Sequence, residues 1–320
     1  MTNFDVFNGG VDGLCALHQY RLTYLGNANL VTGARHDDRL LERLKVQASD
    51  VVTVFDIPIS QNREALVYIL NLGTCVTWFD HHSIGPLARM RGMTAIIDIA
   101  PDICTSTVVD RYLGGEHRAW AVVGAFGENL VALANRLAQP LRLSVDQLRQ
   151  LRQLGQCLNY NAYGETVAGV YLQPADLYQI LRDYSDPFLF IRKAGVVEPL
   201  SRRREEDMQR ALTVSPTTTR ENADIYVLPE DGWSLRIHDE FASYLASERP
   251  RQAHAVLAPD MHGGYVVSVR APSPNLTGAD EFCMQFPTGS GRAGAAGIAT
   301  LPLPRFDDFT YQFLQVFSCD

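Results

Sequence analysis

Residues 51–82 read VVTVFDIPISQNREALVYILNLGTCVTWFDHH and define the architecture of the first half of the chain. Two apolar runs, 51–55 and 75–79, flank a helical pattern over 61–72. Runs rich in β-branched and aromatic residues are typical of parallel strands whose two faces are both covered. Polar residues end each run, Asp56 after the first and Asp80-His81-His82 after the second. The segment therefore predicts a strand–helix–strand unit with acids and histidines at the carboxyl ends of its strands.

The same alternation extends in both directions from this unit. The further predictions, in chain order, are a strand at 4–7, a helix at 14–25, a strand at 30–32, a helix at 37–46 and a strand at 94–97. Strands that alternate with helices in this way predict an α/β fold, an open and mostly parallel sheet flanked by helices.

Three separate strands deliver acids or histidines to one edge of this sheet. Asp12 follows the first strand, Asp56 the third, and Asp80-His81-His82 the fourth. Ligands of open α/β sheets bind beyond the carboxyl ends of the strands, so these side chains should meet in one crevice. Carboxylates with imidazoles suit Mn²⁺ or Mg²⁺, which can activate water against a phosphoester. His82 could instead hold the phosphate or donate a proton.

Each of these residues also has a purely structural interpretation. Asp12, next to Gly13, could cap a helix or shape a turn. Asp56 could be an ordinary loop acid near Pro58, and two adjacent histidines can occur by chance on a surface. Their joint occurrence after three strands favours the functional interpretation.

The second half of the chain changes character twice. Residues 118–189 are predicted mainly helical, with a helix at 146–158 and a loop at 158–164, and the charged segment 201–212 is predicted as a solvated helix that links two domains. Strands are predicted at 225–228 and 265–270. The small-residue segment 287–298 is either a turn into a tightly packed helix or a phosphate-contacting loop. The predicted domains are 1–195 and 221–320, joined by a linker helix at 196–220.

Composition limits the classes of protein that fit. The chain has 320 residues, 46% of them hydrophobic, which suits two globular domains. Its net charge of −8 argues against a broad basic face for long nucleic acid. No apolar run approaches a membrane span, and the amino terminus lacks signal-peptide features, so a cytoplasmic protein is expected. Reduced, buried thiols are expected at the six cysteines, Cys15, Cys75, Cys104, Cys157, Cys283 and Cys319.

The ordered set of motifs resembles the DHH phosphoesterases, a family named for the triplet found here at Asp80-His81-His82. Residues 10–13, Gly-Val-Asp-Gly, resemble the family's Asp-x-Asp-Gly loop, and Asp56 its second acidic segment. Glu128 is the best match to a fourth acid. The strand at 265–270 and the segment 289–292 resemble the smaller α/β domain associated with DHH proteins.

The resemblance implies a RecJ-like phosphoesterase with Mn²⁺ or Mg²⁺, one or two ions, and a small nucleotide or short oligonucleotide as substrate. It implies no membrane partner and leaves a homodimer open. By position, the implied metal ligands are Asp12, Asp56, His81 and Glu128. The implied catalytic residues are Asp80, which supports the histidine geometry as a hydrogen-bond partner or as a ligand, and His82, which faces the phosphate. The implied substrate-binding residues are Arg270, Gly289, Ser290, Gly291 and Arg292.

Three departures from the family pattern bear on activity. Gly10 stands where the loop's first acid is expected, Glu128 is one methylene longer than the usual acid, and Arg292 replaces a frequent histidine. Asn8 could compensate for Gly10 only weakly, as a neutral oxygen ligand.

Two positions near the fourth strand remain alternatives to Glu128. Asp98 or Asp102 could also reach the crevice, although residues 102–106 are expected to open a helix with Thr105 and Ser106 near the substrate. The sequence thus leaves two functions in competition, a phosphoesterase and a degenerate relative that binds nucleotide without cleaving it. A protein-interaction module on the same fold has no specific support in the sequence.

Overall fold

Five of the predicted strands form one parallel sheet in the computed structural model, which describes residues 1–35, 37, 39–83, 90–100, 102–163, 171–273 and 277–317. Within these residues the chain divides into two compact units, residues 1–201 and 202–320. The strands of the first unit are β1 (Asn3–Phe7), β2 (Asn29–Thr32), β3 (Val51–Phe55), β4 (Cys75–Asp80) and β5 (Met93–Ile97).

The strand order β2-β1-β3-β4-β5 fixes where a ligand can bind. The chain leaves β1 through helix α1 (Val11–Thr23) to β2 on one side, then returns to β3 on the other side of β1. A topological switch point therefore lies between β1 and β3, and the loops after these strands diverge there to leave a crevice. The predicted α/β class with an open parallel sheet is confirmed.

Both faces of the central strands β3 and β4 are mainly buried, as their apolar runs predicted. Val54 and Trp78 pack into one core, with α2 (Ile59–Asn71) on that face. Phe55 and Phe79 pack into the other core against α1. Successive strand residues point to opposite faces, so an apolar run without polar interruption is needed to fill both cores.

A layer of helices completes the first unit. Its members are α3 (Thr105–Tyr112), α4 (Arg118–Gly127), α5 (Val131–Ala138), α6 (Val145–Ala162), α7 (Pro174–Leu181), α8 (Pro187–Lys193) and the start of α9 (Val197–Leu212). Ser144 begins α6 with a capping box, accepting a hydrogen bond from the backbone of Gln147 and receiving its side chain in return. The boundary between the two units falls within α9, in the range predicted as a linker helix.

The second unit contains a mixed sheet of six strands among its described residues. Its elements are β6 (Thr218–Arg220), β7 (Ala223–Val227), α10 (Gly232–Glu248), β8 (Ala253–Pro259), β9 (Gly264–Arg270), α11 (Ala279–Cys283), β10 (Gly289–Arg292), β11 (Ala295–Pro302) and α12 (Phe306–Phe317). The order is β10-β11-β9-β8-β7-β6, and a cluster of phenylalanines around Phe282 and Phe309 packs α11 and α12 onto it. This is the smaller α/β domain that the sequence predicted.

Two predicted segments have a different local structure. The helix predicted at 37–46 is only a short 3-10 turn, Leu40–Arg43, in which Leu40 and Leu41 are buried and Asn62 accepts a hydrogen bond from the backbone of Leu41. Tertiary contacts with α2 therefore replace a regular helix.

The loop predicted at 158–164 is helical as far as Ala162, and Gly164 lies outside the described residues. Asn161, within the predicted loop, is helical and exchanges two side-chain hydrogen bonds with the backbone of Leu172.

The segment 287–298 is neither a turn into a helix nor a loop. Gly289–Arg292 pairs with β11 as an antiparallel strand. A Cβ atom on Gly289 would lie 1.7 Å from the carbonyl oxygen of Cys283, so the glycine allows close approach to α11.

The prediction of reduced, buried thiols is confirmed at four cysteines and is wrong about burial at one. Cys15, Cys104, Cys157 and Cys283 are free and buried, as expected. Cys75, the first residue of β4, is free but exposed, and Cys319 lies outside the described residues. No helix in the described part of the chain is long and apolar enough to cross a membrane.

Helices α4 and α6 cross at glycines. A Cβ atom on Gly155 would lie 2.4 Å from the carbonyl oxygen of Val123 and 2.8 Å from the backbone nitrogen of Gly127. Gly155→Ala should therefore lower the free energy of unfolding by about 1–3 kcal/mol through overpacking, although alanine is the better helix former. Denaturant unfolding followed by tryptophan fluorescence measures this change.

The matched control is Gly232→Ala in the first turn of α10, where the added Cβ meets only the end of the Arg236 side chain, at 3.5 Å. It should be neutral or slightly stabilising. A Gly155→Ala protein as stable as the control would contradict the close helix crossing.

Candidate metal centre

The loops that follow β1, β3 and β4 lie side by side at the carboxyl edge of the first sheet. Backbone hydrogen bonds continue between them beyond the strands, from Asn8 N to Phe55 O at 3.1 Å and from Asp56 N to Phe79 O at 3.0 Å. The strand-end rule therefore places the predicted acids and histidines together, at the switch point.

Asp12 lies in the first turn of α1 and is buried. Its Oδ2 accepts a hydrogen bond from Thr105 N at 2.6 Å, and its Oδ1 accepts one from Ser106 N at 2.7 Å. These N–H groups begin α3, where unsatisfied donors and the helix dipole favour a negative charge. Asp12 is thus a helix cap after all, but for a helix far along the chain rather than for its own.

Asp56 follows β3 in a left-handed backbone conformation, with φ of 58°. Asparagine and aspartate adopt this conformation more readily than other non-glycine residues. Its Oδ1 accepts a hydrogen bond from Thr105 Oγ1 at 2.9 Å and lies 3.5 Å from His81 Nε2. The start of α3 therefore contacts both Asp12 and Asp56.

Asp80 holds both histidines of the triplet. Its Oδ1 accepts hydrogen bonds from the backbone nitrogen of His81 at 2.8 Å and from His82 Nδ1 at 2.7 Å. Because Nδ1 of His82 donates to Asp80, its Nε2 carries the lone pair that a metal ion binds. The second oxygen of Asp80 is buried and has no hydrogen-bond partner among the described residues.

Asp56, His81 and His82 form the candidate metal centre, since one ligand atom from each lies within 4.8 Å of the others. Bonds of about 2.1 Å to a single ion join donors that are roughly 3 to 4.2 Å apart, so a small inward movement closes this group on a cation. One carboxylate with two imidazoles suits first-row divalent ions such as Mn²⁺, Fe²⁺ and Zn²⁺. The donor set fits a divalent cation, and His82 belongs to it together with the predicted ligands Asp56 and His81.

Glu128 ends α4 and lies outside this group of donors. Both its oxygens are bound by the guanidinium of Arg35, at 2.8 Å from Nη1 and 2.9 Å from Nη2. Sequence reasoning missed Arg35, although it follows β2 at the same edge of the sheet. The strand-end rule, if applied to β2 as well, would have pointed to it.

The alternatives to Glu128 are engaged elsewhere. Asp98 pairs with Arg111 at 2.7 Å and Asp102 with Arg136 at 3.0 Å, both as partly or largely exposed ion pairs. Thr105 and Ser106 begin α3, as the sequence predicted for this segment. The side chain of Asn8 links two backbone segments: it accepts a hydrogen bond from Gly10 N and donates one to the carbonyl oxygen of Arg35.

The predicted substrate-binding residues belong to the second unit. Arg270, at the end of β9, is buried and bonds Asp239 Oδ1 at 2.7 Å and Ser243 Oγ at 3.0 Å. Gly289, Ser290, Gly291 and Arg292 are the four residues of β10. Substrate contact by these residues stays a prediction, as do the individual roles given to the acids and histidines.

Burial dominates the electrostatics of the centre. It raises the pKa of Asp12 above the usual 3.8, and the neighbouring Asp56 carboxylate raises it further. Burial likewise raises the pKa of Asp56 to about 6, against the opposing influence of His82. It lowers the pKa of His81, which keeps that imidazole neutral and able to coordinate. A bound cation would favour the ionised form of both buried acids and so offset the cost of their burial.

The fold and the centre define an α/β protein with a candidate divalent-metal site at a topological switch point. A crystal structure of exonuclease RecJ bound to manganese aligns over 98% of this chain and 89% of that one, at 17% identity and a TM-score of 0.61. RecJ from Thermus thermophilus in complex with Mn²⁺ aligns over 98% of this chain but 52% of that longer one, at 17% identity and a TM-score of 0.63.

No protein-family model and no curated protein matches the sequence. The likeness to RecJ, a DHH-family fold, nevertheless covers nearly the whole chain, with its five-stranded parallel sheet and its second, mixed sheet. The predicted structural resemblance to DHH proteins is confirmed at the level of fold.

The Asp56→Asn variant distinguishes two effects of Asp56: the cost to folding stability of a buried carboxylate charge, and the binding of a metal ion. The pKa of Asp56, raised from 3.8 to about 6, means that its contribution to stability is present below pH 3.8 and is lost as pH rises through about 6. With a chelator present, Asp56→Asn should therefore match the parent near pH 4 and exceed it by roughly 2–3 kcal/mol at pH 7. Denaturant unfolding at the two pH values gives the comparison.

Saturating Mn²⁺ at pH 7 should reverse this order, because binding stabilises only the protein that retains the ligand. Asp102→Asn, at an exposed carboxylate, is the control and should follow the parent throughout. A Mn²⁺-induced stabilisation of Asp56→Asn equal to the parent's would remove Asp56 from the metal centre.

Proposed function

We propose that this chain is a divalent-metal-dependent phosphoesterase that hydrolyses small nucleotides or short oligonucleotides. The observation that carries the proposal is the convergence of Asp56, His81 and His82 at the switch point of the sheet. The fold that presents this group resembles RecJ structures that contain Mn²⁺.

Each task in such a hydrolysis has a residue here that can carry it out. A divalent ion held by Asp56, His81 and His82 would neutralise the phosphate and lower the pKa of water. Asp80 fixes the ring of His82 so that Nε2 faces away from their hydrogen bond. Asp12 holds the start of α3, and this places the hydroxyl of Thr105 on Asp56.

Short substrates fit the charge of the chain better than long polymers. The net charge is −8, which opposes the neutralisation of many phosphates along a nucleic acid. A local cation with a few donors can still bind one or two phosphates. The chain also spans about half of the Thermus thermophilus RecJ chain, so the activity of that larger protein is not assumed to transfer intact.

A second candidate function is nucleotide binding without hydrolysis. Two of the predicted metal ligands already have strong partners, since backbone amides bind both oxygens of Asp12 and Arg35 binds both oxygens of Glu128. Gly10 offers no side chain at all. A centre with fewer available carboxylates could hold a phosphate and yet fail to activate water.

Mn²⁺-dependent hydrolysis distinguishes the two candidates. Short oligonucleotides, cyclic dinucleotides and phosphoadenosine phosphate should be tested side by side with the parent, Asp56→Asn and the control Asp102→Asn. We expect turnover by the parent and the control that chelation abolishes, and a loss on the order of 100-fold or more in kcat/KM for Asp56→Asn. Product chromatography measures the rates and ranks the substrates.

The absence of turnover on every substrate, together with saturable and Mn²⁺-dependent nucleotide binding, would replace hydrolysis with the second candidate. Equal turnover by the parent and Asp56→Asn would show that the activity does not arise at this centre.

A further inference from the structure

The acids around the candidate centre are divided among different positive partners. Backbone N–H groups of α3 bind both oxygens of Asp12, and the guanidinium of Arg35 binds both oxygens of Glu128. Asp56 is the carboxylate that lies with the two imidazoles of His81 and His82. Asp12 Oδ2 also lies 4.0 Å from His81 Nε2, so Asp12 adjoins the metal group, whereas Glu128 is already neutralised by an arginine.

Arg35 is fixed at this position by contacts from several elements. Asn159 of α6 accepts a hydrogen bond from Nη1, and the ring of Tyr163 lies 5.1 Å from the guanidinium carbon. Asn8, in the loop after β1, donates to the carbonyl oxygen of Arg35 at 2.9 Å. The side chain is only 23% exposed, so its charge is largely shielded from solvent.

Gly10 lies directly beside this guanidinium. A Cβ atom at position 10 would be 3.4 Å from Arg35 Nη1 and 2.8 Å from Asn8 Oδ1. An acidic side chain there would therefore meet the arginine before it could meet a second cation. Glycine at this position and arginine at position 35 are compatible for that reason.

An acid at position 10 with a second divalent ion would give the site the same net charge as Gly10 with Arg35. A carboxylate with a divalent ion contributes a net charge of plus one, and a glycine with a guanidinium contributes the same. The guanidinium of Arg35 binds both oxygens of Glu128, at 2.8 Å and 2.9 Å, so the charge of that carboxylate is already neutralised. A second divalent ion near Arg35 would be repelled at short range in a poorly solvated site.

We propose that the centre binds a single divalent ion at Asp56, His81 and His82, and that Arg35 is a built-in cation which occupies the place of a second ion beside Gly10 and Glu128. This inference rests on the metal centre of the proposed function but concerns the number of ions and not the rate of hydrolysis. Arg35 is in this sense a positioning residue that sets the composition of the centre.

Metal stoichiometry tests the proposal without reference to activity. Mn²⁺ bound per chain is measured by equilibrium dialysis with elemental analysis, and electron paramagnetic resonance separates an isolated Mn²⁺ from a magnetically coupled pair. The proteins are the parent, Gly10→Asp, Arg35→Met and the double variant Gly10→Asp/Arg35→Met. The control is Arg39→Met, which removes an exposed arginine paired with Glu42.

One isolated ion per chain is expected for the parent, for the control and for Gly10→Asp, where the new carboxylate pairs with Arg35. Two ions with a coupled signal are expected for the double variant, because it removes the guanidinium from Glu128 and adds an acid. Arg35→Met alone should gain a second ion at least tenfold weaker than the first. Arg35→Lys, which keeps the charge, should bind one.

Two ions bound by the parent, no ion bound by the parent, or one ion bound by a folded double variant would each overturn the proposal. Thermal unfolding establishes which variants are folded. If the double variant is unfolded, Arg35→Met decides the question. Arg35→Met with one bound ion and no second site up to millimolar Mn²⁺ would contradict the proposal. A parent that binds one ion and hydrolyses nothing would retain this inference and lose the proposed function. A parent that binds two ions and hydrolyses would do the opposite.

Discussion

The carboxylate of Asp12 and the first backbone N–H groups of α3 form the contact on which the centre depends. It joins the first turn of α1 to a helix 93 residues further along the chain. A buried carboxylate without partners is costly, and the start of a buried helix has unsatisfied donors, so each group satisfies the other. The contact also fixes Thr105, whose hydroxyl then reaches Asp56. The hydrogen bonds through Thr105 therefore fix Asp12, Asp56 and the start of α3 relative to one another.

Most of the first sheet follows from local sequence, because a strand buried on both faces needs an uninterrupted apolar run. The runs at 51–55 and 75–79 have no other simple interpretation, and the polar residues that end them mark the edge where ligands bind. The ion pair between Arg35 and Glu128 joins residues 93 positions apart and leaves no periodic signal. The segment around Gly289 was predicted as a turn into a helix or a phosphate-contacting loop, whereas Gly289 lies in a strand and its small size allows contact with a neighbouring helix that the sequence alone does not place.

Buried acids in this protein are matched individually with cations or with N–H groups. Asp5 pairs with Arg21 at 2.6 Å and Glu128 with Arg35. In the second unit the partly exposed Asp239 pairs with Arg270, where desolvation raises the pKa of Asp239 but the arginine holds it well below its usual range. Such pairs contribute little net stability but are costly to break, since the remaining charge would be buried alone. The distribution of partners therefore decides which carboxylate remains for an exogenous cation, and this distribution depends on tertiary contacts.

The left-handed backbone at Asp56 restricts the chemistry available at that position. Glutamate carries the same charge and could reach a cation from an ordinary backbone, but its longer side chain lacks the local hydrogen bonding that makes this conformation tolerable for aspartate. Asparagine and glycine fit the backbone and have no charge. The left-handed turn after β3 thus restricts which residues fit at position 56, and aspartate is the residue that combines an anionic side chain with this backbone conformation.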